Sequence, residues 1–206
     1  MNGLFVVFDG IDGSGKGTII SEVRRFLINK GIPENDIVVT AEPTNSESGK
    51  KIRELLNSGA SPESNAEELL NLYVEDRKKH VEKKIIPALN KGKIILCDRF
   101  KHSTFVYQTM QGIHIEKIHE LHKGIIVPDV TFILDLSVDV ALERVSRRNF
   151  KETFEQKDFL EKVRAGFLSL KKTFSDEEIY FINAEETINK VAEKVEDVLW
   201  KKLKAQ

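Results

Sequence analysis

The chain has 206 residues, of which 40% are hydrophobic and 32% charged, with a net charge of −1. That length suits one domain, read as residues 1–206, with a single sizeable core, and the composition excludes disordered and fibrous classes. A near-neutral balance creates no field for recruiting nucleic acid or an anionic membrane, and no segment approaches the roughly 18 apolar residues that span a bilayer.

The apolar run Leu4–Phe8 predicts a strand. It leads into Gly10-Ile11-Asp12-Gly13-Ser14-Gly15-Lys16-Gly17-Thr18, and then a helical face of Ile19, Ile20, Val23, Phe26 and Leu27. Strand, glycine-rich loop and helix in this order make a phosphate-binding P-loop, so residues 10–18 are assigned to a nucleotide. Loop N–H groups converge on phosphate oxygens, Lys16 adds charge at the β/γ-phosphates, and the helix contributes its positive end. Against the strict pattern G-x-x-x-x-G-K-[ST], Gly17 stands where a magnesium-binding hydroxyl belongs, and Thr18 comes one place later.

Further apolar runs at Ile37–Thr40, Ile94–Asp98, Val130–Leu136 and Ile179–Asn183 alternate with helical stretches. The expected fold is therefore α/β, a five-stranded parallel sheet with helices on both faces. Residues 66–90 read as one helical stretch that kinks or stops near Pro87. Within it Tyr73 and Arg77 share a face at i and i+4, an arrangement that suits a base with an attached phosphate or, equally, plain packing. The single cysteine, Cys97, lies in the third strand and reads as a buried inert thiol; a soluble, cytoplasmic protein without a leader is expected.

The third strand ends Cys97-Asp98-Arg99-Phe100. Ligands of open parallel sheets bind beyond the carboxyl ends of the strands, which aims Asp98 and Arg99 at the P-loop crevice. A carboxylate there suits magnesium, and an arginine clamps a phosphate. The next helix carries Ser103, Thr104, Tyr107 and Gln108. His114, His119 and His122 lack a metal-ligand pattern and read as a solvated helix face. Apolar faces on the helices at 103–122 suit a homodimer. Residues 147–155, beginning Arg147-Arg148-Asn149-Phe150-Lys151, have the composition of a short basic lid, with a solvated connection as the plainer reading. After a helix at Phe159–Phe174, the C-terminal helix repeats Ile188, Val191, Val195, Val198, Leu199 and Leu203 toward the sheet.

Taken together these segments resemble the thymidylate kinase family of P-loop nucleoside-monophosphate kinases. The resemblance runs from Leu4 to about Asn183: Asp9 before the P-loop and Asp12 inside it, Glu42-Pro43-Thr44, Leu72-Tyr73-Val74-Glu75-Asp76-Arg77, Asp98-Arg99-Phe100 with Ser103 and Tyr107-Gln108, Pro128–Asp135, and Ala141-Leu142-Glu143-Arg144. It implies transfer of phosphate from ATP to dTMP, with Mg2+ as the cofactor. By likeness Lys16 takes the ATP phosphates, Arg99 the dTMP phosphate, and Tyr73 stacks on thymine beside Arg77. Gln108 and Thr104 address the base edge, Tyr107 packs on the 2′ carbon, Asp12 takes the 3′-hydroxyl, and Asp9 with Asp98 lies near magnesium. Members without a P-loop arginine rely on the lid, which makes Arg148 the catalytic candidate there. Gly17, Ala41 (in place of a common arginine) and Thr153 depart from the family pattern; Arg53, Lys50 or Lys51 are candidate compensating cations, with ordinary surface charge as the plainer reading. Two alternatives stay open: another nucleoside-monophosphate kinase, which Gly-Lys-Gly-Thr favours, and a P-loop nucleotide-binding protein with weak phosphotransfer.

Overall fold

A computed structural model describes residues 3–58, 64–146 and 157–205. Strand β1 (Leu4–Asp9) is buried along its whole length, because parallel strands covered on both faces leave no side open to water. It lies at the centre of five parallel strands with β2 (Ile37–Ala41), β3 (Ile94–Asp98), β4 (Val130–Asp135) and β5 (Ile179–Asn183), in the order β2-β3-β1-β4-β5. The register pairs Phe8 with Asp98 on one side and with Phe132 on the other. Since β3 and β4 flank β1 from opposite sides, the crevice beyond the β1 carboxyl end is the switch point where such sheets bind ligands.

Alternation along the strands sends side chains to opposite layers. Phe5, Val7, Ile95 and Cys97 pack against Val81, Ile85 and Ala88 on one face. Leu4, Val6, Phe8 and Leu96 face the larger cluster, which includes Ile19, Val23 and Leu27 of α1 (Lys16–Asn29) and Val195 and Leu199 of α9 (Ile188–Lys204). Burial pushes the Cys97 thiol well up, consistent with an inert core position. The remaining helices are α2 (Glu47–Leu56), α3 (Ala66–His80), α4 (Ile86–Leu89), α5 (Lys101–Met110), α6 (Ile115–Leu121), α7 (Val138–Ser146) and α8 (Lys157–Thr173). No helix among the described residues is long and apolar enough to cross a membrane.

Four local readings change. The stretch 66–90 is continuously helical to Leu89 but changes pitch before Pro87: α3 passes at His80 into a π turn over Val81–Ile85, and α4 follows with Pro87 in its first turn, where a missing N–H costs little. Helix α2 is an element the apolar pattern did not announce; Ser46 caps it by accepting from Gly49 N at 3.0 Å. Ile188 is 53% exposed and does not join the apolar face of α9. The apolar faces of the 103–122 helices are spent within the protomer, with Phe105, Val106 and Ile118 all buried in its core.

Candidate active site

The P-loop backbone closes on two glycines. At Gly10 (φ +134°) an added Cβ would lie 2.6 Å from Leu134 O, and at Gly13 (φ +83°) 2.5 Å from Ala141 O. Only a residue without a side chain lets the loop approach β4 and α7 so closely. Lys16 opens α1 with its ammonium turned back into the loop, donating to Gly10 O at 3.2 Å and Ile11 O at 3.1 Å. Burial, then the nearby Arg99 charge, lowers its pKa, while Asp98, Asp12 and Asp9 oppose that shift. Gly17 and Thr18 are exposed at the start of α1 and face the same cleft.

Asp9, at the end of β1, is fully buried and fully engaged. Its Oδ1 accepts from Gly10 N (3.0 Å) and Ser103 Oγ (2.6 Å), and its Oδ2 from Ser103 N (3.1 Å) and Phe100 N (3.4 Å). It therefore caps α5 from outside, satisfying first-turn N–H groups where the helix dipole favours an anion. Asp98 is the open carboxylate: its Oδ1 is buried without a hydrogen-bond partner among the described residues, on the cleft that Lys16 and Gly17 line. A single carboxylate supplemented by phosphate oxygens and water is a normal magnesium environment, so these residues fit that ion.

Arg99 adopts φ +66°, and its N–H donates to Phe8 O at 2.8 Å. This left-handed turn after β3 carries the guanidinium back to the P-loop, where it donates to Gly10 O (3.1 Å), Ser103 Oγ (2.9 Å) and the Asp12 carboxylate. Burial alone would lower its pKa, but Asp12, Tyr107, Asp9 and Asp98 outweigh it and hold the charge. The guanidinium sits 5.5 Å from the Tyr107 ring centroid, and burial raises the Tyr107 phenol, which stays neutral.

A second cleft opens beside Arg99, with about 920 Å³ of open space including its mouth. Tyr73, Arg77, Thr104, Tyr107 and Gln108 all line it, which brings together every base-side residue expected from sequence. Arg77 is 1% exposed and built into a buried network. Its Nε and Nη2 both lie 2.8 Å from Glu42 Oε2, Nη2 donates to Thr104 Oγ1 at 3.0 Å, and Phe100 covers the guanidinium at 5.2 Å. Nη1 donates to His122 Nε2 at 2.6 Å, while His122 Nδ1 donates to Ile118 O at 2.7 Å. Those two contacts select the neutral Nδ1–H tautomer; burial and then Arg77 push the His122 pKa down to about 3. His114 and His119 are exposed as expected, but His122 is a buried strut for Arg77 and not part of a solvated face. On the far side of Glu42, His80 Nδ1 lies 3.0 Å from Oε1 and His80 Nε2 lies 2.8 Å from Thr40 Oγ1.

Arg53 of α2 lines the same cleft as Ala41, the position at which the family resemblance expects a cation. Its guanidinium donates to Pro43 O (2.6 Å), Thr44 O (2.8 Å) and Gly49 O (3.2 Å), and it lines both clefts. Of the three compensating cations weighed from sequence, it is the one placed at the junction. A third hollow, between Ser14, Ile188 and Arg144, borders the other side of the P-loop. Arg144 donates there to Ala184 O at 3.1 Å and Gly13 O at 3.4 Å. The expected lid at 147–155, with Arg147, Arg148, Lys151 and Thr153, lies outside the described residues. Glu42 lines both clefts itself and holds Arg77, as His122 does, while His80 braces Glu42; no local spacing in the sequence signals these partnerships.

A family model for thymidylate kinase matches residues 8–195. The thymidylate kinase of Brachyspira hyodysenteriae is 41% identical over 177 residues, covering 84% of each chain. That of Caldicellulosiruptor saccharolyticus is 39% identical over 205 residues, covering 97% of each. A crystal structure of thymidylate kinase from Ehrlichia chaffeensis superposes with a TM-score of 0.72 at 29% identity, covering 97% of this chain and 100% of that one.

Proposed function

The chain belongs to the thymidylate kinase family, and from that premise we propose how its residues divide the work. The enzyme uses ATP to phosphorylate dTMP to dTDP. One observation carries the division of roles: Arg99 and Arg53 line both the P-loop cleft and the nucleoside cleft, so they stand where two phosphates must meet.

The acceptor needs no general base, because the second pKa of a phosphate monoester is near ~6 and its attacking oxygen is already anionic at pH 7. What remains is neutralising two mutually repelling groups and aligning them. Lys16 holds the ATP phosphates. Arg99 and Arg53 draw in the dTMP phosphate from the other side. Asp12 restrains Arg99 and, by family likeness, takes the 3′-hydroxyl. Tyr73 stacks on thymine, Arg77 and Gln108 read its polar edge beside Thr104, and Tyr107 packs on the 2′ carbon. Arg144 and Ile188 flank the purine of ATP.

Magnesium belongs to the same proposal, held by the open Asp98 carboxylate, with Asp9 kept for α5. When bound it would neutralise phosphate charge. A homodimer belongs to the same reading and rests on the family resemblance; sedimentation velocity tests it.

Tyr73→Ala tests the base side. Loss of a base–aromatic stack costs on the order of 1–3 kcal/mol, so KM for dTMP should rise at least about fivefold with KM for ATP unchanged. An effect on ATP alone would move thymine to another cleft.

A further inference from the structure

Gln108 and Gln111 lie one turn apart at the C-terminal end of α5 and are 1% and 4% exposed. Gln108 Nε2 donates to Gln111 Oε1 at 3.1 Å. The other two ends of this amide pair, Gln108 Oε1 and Gln111 Nε2, have no hydrogen-bond partner among the described residues. Gln108 lines the nucleoside cleft and Gln111 does not. A buried amide oxygen without a partner, next to a cleft, marks a place that a ligand donor completes.

We propose that Gln111 is a specificity-determining positioning residue: by taking the Gln108 amide nitrogen, it turns the Gln108 carbonyl toward the base. This rests on the base-side reading above and adds to it a residue that touches no substrate.

The helix end makes Gln111 a firm anchor. Gln111 N donates to Tyr107 O and Ile113 N donates to Gln108 O, both at 3.0 Å, with Gly112 between them at φ +90°. Arg77 supplies the other half of the recognition. It is bonded to Thr104, one helical turn before Gln108, and its Nη1 has two hydrogens of which one goes to His122. The cleft wall thus presents a donor at Arg77 and an acceptor at Gln108. Thymine and uracil offer an acceptor at O4 and a donor at N3–H, which match that pair. Cytosine reverses both, with an amine at C4 and a bare N3. Were the Gln108 amide turned over, its Nε2 hydrogens would oppose thymine N3–H and suit cytosine N3. The side chain at 111 therefore decides which pyrimidine edge the Gln108 amide accepts.

The test compares full-length wild type, Gln111→Glu, Gln111→Met and Gln111→Ser at pH 8. It reads kcat/KM for dTMP and for dCMP at saturating Mg-ATP, with thermal melts to confirm folding. Ionised glutamate only accepts, so Gln111→Glu should keep the dTMP/dCMP ratio within about twofold. Methionine offers no comparable acceptor and serine is too short to reach. Either should lower the ratio at least about tenfold, mainly through KM for dTMP, with kcat for dTMP within about threefold. If Gln111→Met does not fold, Gln111→Ser carries the same expectation. An unchanged ratio in the folded Met or Ser variant overturns the inference. So does a ratio lost in Gln111→Glu, or dTMP and dCMP efficiencies that fall in equal proportion. A wild type that does not prefer dTMP over dCMP would instead overturn the base-side reading itself.

Discussion

Asp9 Oδ1 accepts a 2.6 Å hydrogen bond from Ser103 Oγ, joining residues 94 apart in the chain. Through this bond the end of β1, from which the P-loop departs, holds the start of α5, on which Thr104, Tyr107 and Gln108 stand. The P-loop and the helix that lines the second cleft are thereby fixed to one carboxylate.

Asp9→Asn keeps the shape but turns an amide N–H2 toward groups that are themselves donors. A buried network broken this way costs about 2–4 kcal/mol. Urea unfolding should show that loss, with a rise in KM for dTMP as α5 shifts. A loss below about 0.5 kcal/mol would mean that the carboxylate does not hold α5.

Lys16→Met retains the aliphatic stem and removes the charge. Groups that stabilise developing phosphate charge contribute roughly 3 kcal/mol or more, so kcat should fall at least about a hundredfold. Binding of dTMP without ATP should stay unchanged by calorimetry, since Lys16 does not line the nucleoside cleft. Activity within a few-fold of wild type would remove Lys16 from the ATP phosphates.

Gly17 has a negative φ, and a Cβ placed there meets nothing within 4 Å. A hydroxyl can therefore be restored without strain. Gly17→Ser should lower the Mg2+ concentration for half-maximal activity, by about threefold or more if one coordination adds roughly 0.7 kcal/mol. Asp98→Asn should raise it. Identical Mg2+ titrations for all three proteins would detach the metal from Asp98.

His122 gives the stability a pH signature. Its folded pKa, about 3, lies below the ordinary 6.5, so between these values the unfolded chain binds a proton that the folded chain refuses. The stabilisation is complete above pH 6.5 and is lost as pH falls toward 3. His122→Asn can still accept from Arg77 and does not titrate. Relative to it, wild type should lose about 1.4 kcal/mol for each unit between pH 6 and pH 4. Parallel pH–stability curves would contradict a buried neutral His122.

The sheet was legible in the sequence because its strands are short, nearly continuous apolar runs, and all five appear within a residue or so of their expected ends. The P-loop and the Asp98-Arg99 pair were legible because phosphate chemistry requires particular residue types in a fixed local order, whereas Thr104, Tyr107 and Gln108 were legible only through the family resemblance. Long-range partnerships were hidden. Glu42 meets Arg77 across 35 residues and His122 meets it across 45, so neither leaves a periodicity to find. Asp9 illustrates the same limit. The family resemblance sets it near magnesium, whereas three of its four hydrogen bonds come from Phe100 and Ser103, a contact that only the folded chain makes.

The relative kcat/KM for dTMP, dUMP, dCMP, UMP and AMP, at saturating Mg-ATP, tests the central claim most directly. Loss of one methyl costs only about 1–3 kcal/mol, whereas a reversed hydrogen-bonding edge leaves buried groups unpaired and can cost about 10⁴-fold. The account predicts dTMP first and dUMP at a moderate loss, with dCMP and AMP far behind and UMP disfavoured by Tyr107 at the 2′ carbon. A preference for AMP or dCMP would contradict it.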